Sequence, residues 1–320
     1  MRCAILDDYQ DVARSLADWS SIPELELTVF NDHVADRDAV AQALAPFELV
    51  VAMRERTPFD RPLLERLPAL RLLVTTGKRN ASIDLAACSE RGVTVCGTAG
   101  WPGPAAELTW ALIHALMRHI PDEVQDMRAS ARWQTRLGRS LHRATLGIVG
   151  MGTIGTHMAK VARAFDMNVL GYSRSFTAAR ASELGIACAG SLDALLATSD
   201  IITVHLALTT QTRGLIGVSQ LARMKPDAYL VNTARGPIVD EVALIEALRA
   251  RRIAGAALDV YDREPLPADH PLRTLPNALC TPHVGYVTRE NYRVFFRDVV
   301  EDIKAWRAGA PLRVLTEASK

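Results

Sequence analysis

Cysteine is scarce in this 320-residue sequence and shows no pattern. Cys3, Cys88, Cys96, Cys188 and Cys280 are odd in number, lie far apart and form no C-x-x-C pair. Disulfide frameworks and zinc sites want closer, paired spacing, so neither is expected and no metal site is assigned. The five thiols read instead as small buried hydrophobes in a reducing cytoplasm. Long apolar runs are also missing, and none approaches the ~18 residues of a membrane helix. The first ten residues are cut by Asp7 and Asp8, which argues against a signal peptide. No sign of charge prevails: Lys plus Arg number 37 against 36 Asp plus Glu, a net charge of +1. Such a chain has no basic field to hold a phosphate backbone, so nucleic-acid binding is not expected. Glycine (19) and proline (16) are too few for a collagen-like or low-complexity chain. What is present, 49% hydrophobic and 23% charged residues, is the balance of a soluble globular protein of about two domains.

Strand-like and helical patterns alternate. Short apolar runs at 2–6, 25–30, 48–53, 71–75 and 93–96 are separated by helical spacing at 8–17, 37–44, 60–67 and 84–91. That order implies βαβ units and a parallel sheet. A cluster of turn residues at 97–104 breaks the series, and an amphipathic helix follows over 105–118. A second series runs through 144–149, 169–172, 201–204, 228–231, 253–258 and 278–280, and 288–308 reads as one long closing helix. The fold class is α/β, with two doubly wound parallel-sheet domains.

The run Leu146-Gly147-Ile148-Val149-Gly150-Met151-Gly152-Thr153-Ile154-Gly155 is an apolar strand entering G-x-G-x-x-G ahead of a helix over 157–165. In that context Gly150 permits a tight turn, Gly152 a close phosphate and Gly155 close packing of helix on strand. The helix N-terminus then faces a pyrophosphate. The next strand should end in an acid for the ribose 2′-hydroxyl of NAD. Here it reads Tyr172-Ser173-Arg174-Ser175. Without the acid, a guanidinium flanked by hydroxyls can hold a 2′-phosphate, so NADP (NADPH) is favoured, with NAD possible.

Three later segments each place a polar group just beyond a strand. Asn232-Thr233-Ala234-Arg235-Gly236 carries an arginine, Asp259-Val260-Tyr261-Asp262-Arg263-Glu264-Pro265 two carboxylates, and Pro282-His283-Val284-Gly285 a histidine. Singly, each has an ordinary structural explanation. Together they form a proton-transfer and anion-binding set at the carboxyl ends of one sheet.

In these motifs, and in their order, the sequence resembles the D-isomer-specific 2-hydroxyacid dehydrogenases, of the glyoxylate/hydroxypyruvate reductase-like, NADP-preferring type. The resemblance covers nearly the whole chain. It implies a Rossmann cofactor domain, 99–284, inserted in a flavodoxin-like substrate domain of 1–98 plus 285–320. It implies NAD(P)-dependent interconversion of a small 2-keto acid and the D-2-hydroxy acid, in a cytoplasmic homodimer whose interface includes the helix near 105–118. His283 would be the acid/base, Glu264 would orient it, and Arg235 would bind the substrate carboxylate and polarise the keto oxygen. Met151, Thr153, Ile154, Leu206, Ala207, Thr233, Ala234 and Gly285 would join the glycines and 173–175 around the cofactor, with Asp259 toward its carboxamide. His205 is not assigned to catalysis.

Arg54, Gly77, Lys78 and Arg79 would bind substrate. Relatives usually carry a G-x-G turn there, but this chain has Gly77-Lys78-Arg79, with a cation in place of the second glycine. Two alternatives stand beside this reading: a phosphite-type dehydrogenase of the same fold, since Lys78 falls in a loop where such enzymes carry lysine, and a non-catalytic dinucleotide-sensing scaffold of the corepressor kind. The Arg235, Glu264 and His283 set favours chemistry. A C-terminal regulatory domain of the kind many phosphoglycerate dehydrogenases carry is not expected.

Overall fold

The computed structural model describes residues 1–129 and 133–317; residues 130–132 and 318–320, inside the expected domain spans, lie outside the described residues. The chain divides into two compact units, Met1–Trp101 with Val287–Lys320, and Pro102–Tyr286.

Among the described residues the first unit holds five parallel strands: β1 (Arg2–Ile5), β2 (Glu26–Val29), β3 (Leu49–Ala52), β4 (Leu72–Thr75) and β5 (Thr94–Gly97). Their spatial order is β2-β1-β3-β4-β5. The inner strands β3 and β4, with sequences LVVA and LLVT, are buried at every residue, whereas edge strand β2 is not. Continuous apolar runs are what a sheet covered on both faces requires. The long helix Arg289–Arg307 packs its aromatic face inward, with Phe295 and Phe296 fully buried and Trp19 6.2 Å from Phe296.

Among its described residues the second unit holds seven parallel strands: β6 (Thr145–Val149), β7 (Asn168–Tyr172), β8 (Ala187–Cys188), β9 (Ile201–Val204), β10 (Tyr229–Asn232), β11 (Gly255–Leu258) and β12 (Ala278–Cys280). Their order is β12-β11-β10-β9-β6-β7-β8, so connectivity reverses between β6 and β9. Ligands bind at that reversal in doubly wound sheets. Two helices, Leu192–Thr198 and Glu241–Arg249, start at side-chain caps, with Ser191 accepting from Ala194 N and Asp240 from Ala243 N.

Three local expectations are corrected. The helix expected over 8–17 shrinks to Ala13–Leu16. Asp8 accepts from the N–H groups of Val12 (2.9 Å) and Ala13 (2.8 Å), and Asp7 and Asp11 take left-handed conformations, so the preceding segment is spent on turns. The helix expected over 60–67 is Arg61–Leu64, capped by Asp60. A helix at Ile120–Arg128 was not expected, since none of its residues is buried and its apolar spacing serves no core of this chain. Pro121 in its first turn was the available start signal.

All five cysteines are free. Burial pushes the thiols of Cys3, Cys88 and Cys96 up to about 12, which makes them unreactive packing groups.

Candidate active site

The phosphate turn sits where connectivity reverses. Gly150, after β6, has φ +107°, and a Cβ there would stand 2.4 Å from the carbonyl oxygen of His205, after β9. No other residue fits that approach. Its N–H donates to Tyr172 O (2.8 Å), which ties the turn to β7. The helix Thr153–Ala164 begins at Gly152 with no side-chain cap, and the space beside Gly152 is open. The first-turn N–H groups, those of Thr153, Ile154 and Gly155, thus lack the side-chain acceptor that caps neighbouring helices. Such a cradle fits the diphosphate of a dinucleotide. Met151 packs over Gly171, and Leu206 lies against Gly150. His205 Nε2 is buried without a hydrogen-bond partner among the described residues, and burial pushes the imidazole down to about 4. It stays neutral at neutral pH.

At the end of β7, Ser173 is half-buried while Arg174 and Ser175 are exposed. Arg174 Nη1 donates to Gln211 Oε1 at 2.5 Å. Among the described residues no carboxylate pairs with this guanidinium, and Gln211, on the segment after β9, was not singled out from sequence. The neutral amide orients the cation without cancelling its charge.

Arg235, Glu264 and His283 follow β10, β11 and β12, three strands lying side by side. Arg235 opens a short 3-10 turn and donates from Nη1 to Ala234 O (2.7 Å). Asn232 fixes the arginine's backbone by donating to its carbonyl (2.9 Å) and accepting from Ala234 N (3.1 Å). Thr233 meets Thr109 of the helix Gly103–Met117, hydroxyl to hydroxyl at 2.8 Å.

His283 Nδ1 lies 2.5 Å from Glu264 Oε2, with the two side chains 18% and 27% exposed. The other carboxylate oxygen accepts from Tyr261 N (3.0 Å). With Nδ1 assigned to the carboxylate, Nε2 is the imidazole atom left for a substrate. The ring also meets Tyr286 edge-on at 5.6 Å. His283 itself is left-handed, φ +52°, a conformation that needs outside support.

Asp259 supplies that support. It is fully buried and accepts from Thr281 Oγ1 (2.6 Å), Val284 N (2.8 Å) and Gly285 N (2.8 Å), the residues flanking His283. Burial pushes its carboxyl up, opposed by these hydrogen bonds and by the nearby imidazole. The N–H groups of Val284 and Tyr261 were not foreseen, because backbone donors leave no mark in a motif, nor was the Thr281 hydroxyl, whose partner lies 22 residues away.

In the first unit, Arg54, Gly77, Lys78 and Arg79 gather at the ends of neighbouring strands β3 and β4. Gly77 has φ +103°, and a Cβ there would collide with the Arg54 guanidinium lying across it. Asn80 clips the two loops together, donating to Arg54 O (2.6 Å) and Thr75 Oγ1 (2.9 Å). Lys78 and Arg79 are exposed, and neither backbone N–H meets an acceptor among the described residues.

Residues 110–285 match the NAD binding domain of the D-isomer specific 2-hydroxyacid dehydrogenases. Glyoxylate reductase of Aeropyrum pernix is 40% identical over 259 residues, 78% of this chain and 77% of that protein. The chain belongs to the D-isomer specific 2-hydroxyacid dehydrogenase family. Another member, D-3-phosphoglycerate dehydrogenase of Archaeoglobus fulgidus, is 36% identical over 280 residues, 87% of this chain. The alignment covers 53% of that relative, so the chain spans about half its length. Among solved structures of the family's fold, phosphoglycerate oxidoreductase from Vibrio cholerae o395 superposes with a TM-score of 0.92 at 40% identity, over 97% of this chain and all of the other. Among the described residues no helix is long and apolar enough to cross a membrane, and no cluster of His, Cys, Asp or Glu is spaced to hold a metal.

Proposed function

We propose that the protein is a cytoplasmic, NADPH-favouring 2-hydroxyacid dehydrogenase that interconverts a small 2-keto acid and its D-2-hydroxy acid. The observation that carries this reading is the 2.5 Å contact between His283 Nδ1 and Glu264 Oε2, beside Arg235 on the neighbouring loop of the same sheet. A bound nicotinamide dinucleotide supplies the hydride in reduction and accepts it in oxidation. The substrate's carbonyl oxygen gathers negative charge as reduction proceeds. The Arg235 guanidinium stabilises that charge and holds the carboxylate, and His283 Nε2–H delivers the proton. Glu264 keeps the imidazole in the orientation and tautomer that leave Nε2 toward the substrate. In the opposite direction the same nitrogen takes the hydroxyl proton.

The uncapped turn at Gly150, Met151, Gly152, Thr153, Ile154 and Gly155 holds the diphosphate in this reading. Leu206, Ala207, Thr233, Ala234, Asp259 and Gly285 border the rest of the cofactor. Ser173, Arg174 and Ser175 take the 2′-phosphate, supported by the unneutralised Arg174. The substrate assignment of Arg54, Gly77, Lys78 and Arg79 rests on the two open N–H groups of their turn, a natural carboxylate receptor.

The proposed assembly is a homodimer. Ile120, Val124 and Met127 are 49%, 42% and 61% exposed on one face of a helix, close in sequence to exposed Trp133 and Leu137. Solvent-facing apolar residues at this spacing mark a surface that another chain covers.

The experiment is NADPH oxidation, with NADH in parallel, over glyoxylate, hydroxypyruvate and an aromatic 2-keto acid, and the reverse reaction on D-3-phosphoglycerate. Turnover of at least one of these acids that disappears in His283→Ala is the expected result. Absence of turnover with all of them, despite dinucleotide binding, would refute the reading.

A further inference from the structure

The chain beyond the last helix does not simply trail away. After Arg307 it turns at Gly309, φ +75°, and runs back along β5, the edge strand of the first unit's sheet. Val314 bridges Cys96 in antiparallel sense. Gly97 N donates to Arg313 O (3.0 Å) and Leu315 N to Val95 O (2.8 Å). This strap covers an edge that would otherwise expose unpaired backbone groups.

Arg313 pins the strap to the last helix. Its guanidinium meets Asp302 Oδ1 (3.0 Å), Glu301 Oε2 (3.1 Å) and the carbonyl of Asp298 (2.9 Å). The Asp298 side chain, on the same helix, accepts from Ala99 N (2.8 Å), just past β5. One helix thus grips both the strap and the exit of the strand the strap covers.

Between these two grips lies Thr98, and Thr98 holds both backbone polar groups of Gly77. Its Oγ1 accepts from Gly77 N (2.7 Å), and its N–H donates to Gly77 O (3.1 Å). Gly97 is pressed so closely on the same turn that a Cβ on it would lie 2.8 Å from Gly77 O. The open N–H groups of Lys78 and Arg79 therefore inherit their position from β5, and β5 from the strap.

We propose that Arg313 is a positioning residue for substrate binding: by clamping the strap it holds Gly97 and Thr98, and through them the anion-receiving turn at Gly77–Lys78–Arg79. This rests on the proposed role of that turn in holding the substrate carboxylate. Arg313 touches neither substrate nor cofactor. Its effect travels from the Gly97–Arg313 backbone hydrogen bond to the two Thr98–Gly77 hydrogen bonds, one backbone and one through Thr98 Oγ1, in one packed unit.

Two readouts separate positioning from plain destabilisation. The first is hydrogen exchange of the peptide covering residues 72–82, which needs no substrate. Arg313→Ala should speed exchange there, and so should Thr98→Val, which removes the acceptor while leaving the strap's clamp in place. Asp36→Ala, which uncaps a remote helix of the same unit, should lower the melting temperature without that local change. The second readout is kinetics with the best 2-keto acid. KM should rise about fivefold or more in both variants, since small displacements of a binding group are costly, with kcat within about twofold and the KM for NADPH unchanged; Arg313→Lys should recover part of the loss. Unchanged exchange in Thr98→Val and Arg313→Ala would overturn the coupling. Faster exchange with an unchanged keto-acid KM would overturn the proposal too, and would place the fault in the role given to the turn.

Discussion

Glu264 divides its two oxygens between His283 and the backbone of Tyr261. One accepts from the imidazole at 2.5 Å and the other from an N–H at 3.0 Å. The carboxylate cannot rotate without losing one of them. The orientation of the His283 imidazole is therefore set by the main chain leaving β11, not by a free pair of side chains.

Removing His283 tests that arrangement most directly. His283→Ala should lower kcat by roughly 10²–10⁴, with NADPH binding, read by fluorescence titration, unchanged. Arg235→Ala should lower kcat and raise KM together, because the proposed role has the guanidinium contacting substrate in ground and transition states alike. Near-normal turnover in His283→Ala would end the assignment.

In the proposed function, cofactor choice turns on Arg174. A charge-assisted contact to the 2′-phosphate is worth about 1.5–3 kcal/mol, so the wild-type protein should prefer NADPH over NADH by about tenfold or more in kcat/KM. Arg174→Ala should erase most of that preference and leave NADH kinetics nearly untouched. Equal specificity constants in the wild type would show that the missing acid merely relaxes selection.

The strap's clamp should make stability depend on pH. Burial outweighs the Arg313 guanidinium at Asp302 and pushes this carboxyl up to about 7, from an unfolded value near 3.8. The folded state then holds the proton more tightly. The associated stability is complete below the unfolded value and is lost as pH rises through 7, with a slope of at most about 1.4 kcal/mol per pH unit. Denaturant midpoints of Asp302→Asn, compared with wild type between pH 4 and 8, should shift in favour of the variant as pH rises. His205, pushed down to about 4, acts in the opposite sense. Its contribution is present above the ordinary histidine value and fades as pH falls toward 4, so His205→Phe should flatten the acid side of the wild-type curve.

Assembly state is read by light scattering. Val124→Glu places a charge in the middle of the exposed face of the helix Ile120–Arg128 and should convert a dimer to a monomer. A wild-type monomer at micromolar concentration would refute the assignment of that face.

All the strands but the two-residue β8 (Ala187–Cys188), and the polar groups at their ends, were legible because each depends on local spacing. G-x-G-x-x-G, Arg235, Glu264 and His283 announce themselves within ten residues. What the sequence concealed depends on distant partners or on surfaces without a core. Thr98 holds Gly77 across 21 positions, and Asp259 reaches Thr281 across 22. The helix Ile120–Arg128 puts its apolar residues on one face, but none of them is buried, so no core contact within the described residues marks the helix. The opening helix was overextended because Asp8 serves as a cap by reaching forward four and five residues, a role indistinguishable from an ordinary helical acid until the turn is seen.

β12 is a three-residue strand at the margin of its sheet, and the loop after it carries His283; β6, with the phosphate turn, lies four strands inward. Margins of sheets open at lower free energy than their middles. Mild heating or dilute denaturant should therefore release the His283 loop first, once Asp259 loses its three donors, while the dinucleotide cradle is still closed. Loss of turnover and loss of cofactor affinity would then be two events in succession. A partly inactivated sample would be one that still binds the dinucleotide and has lost the ordered His283 loop.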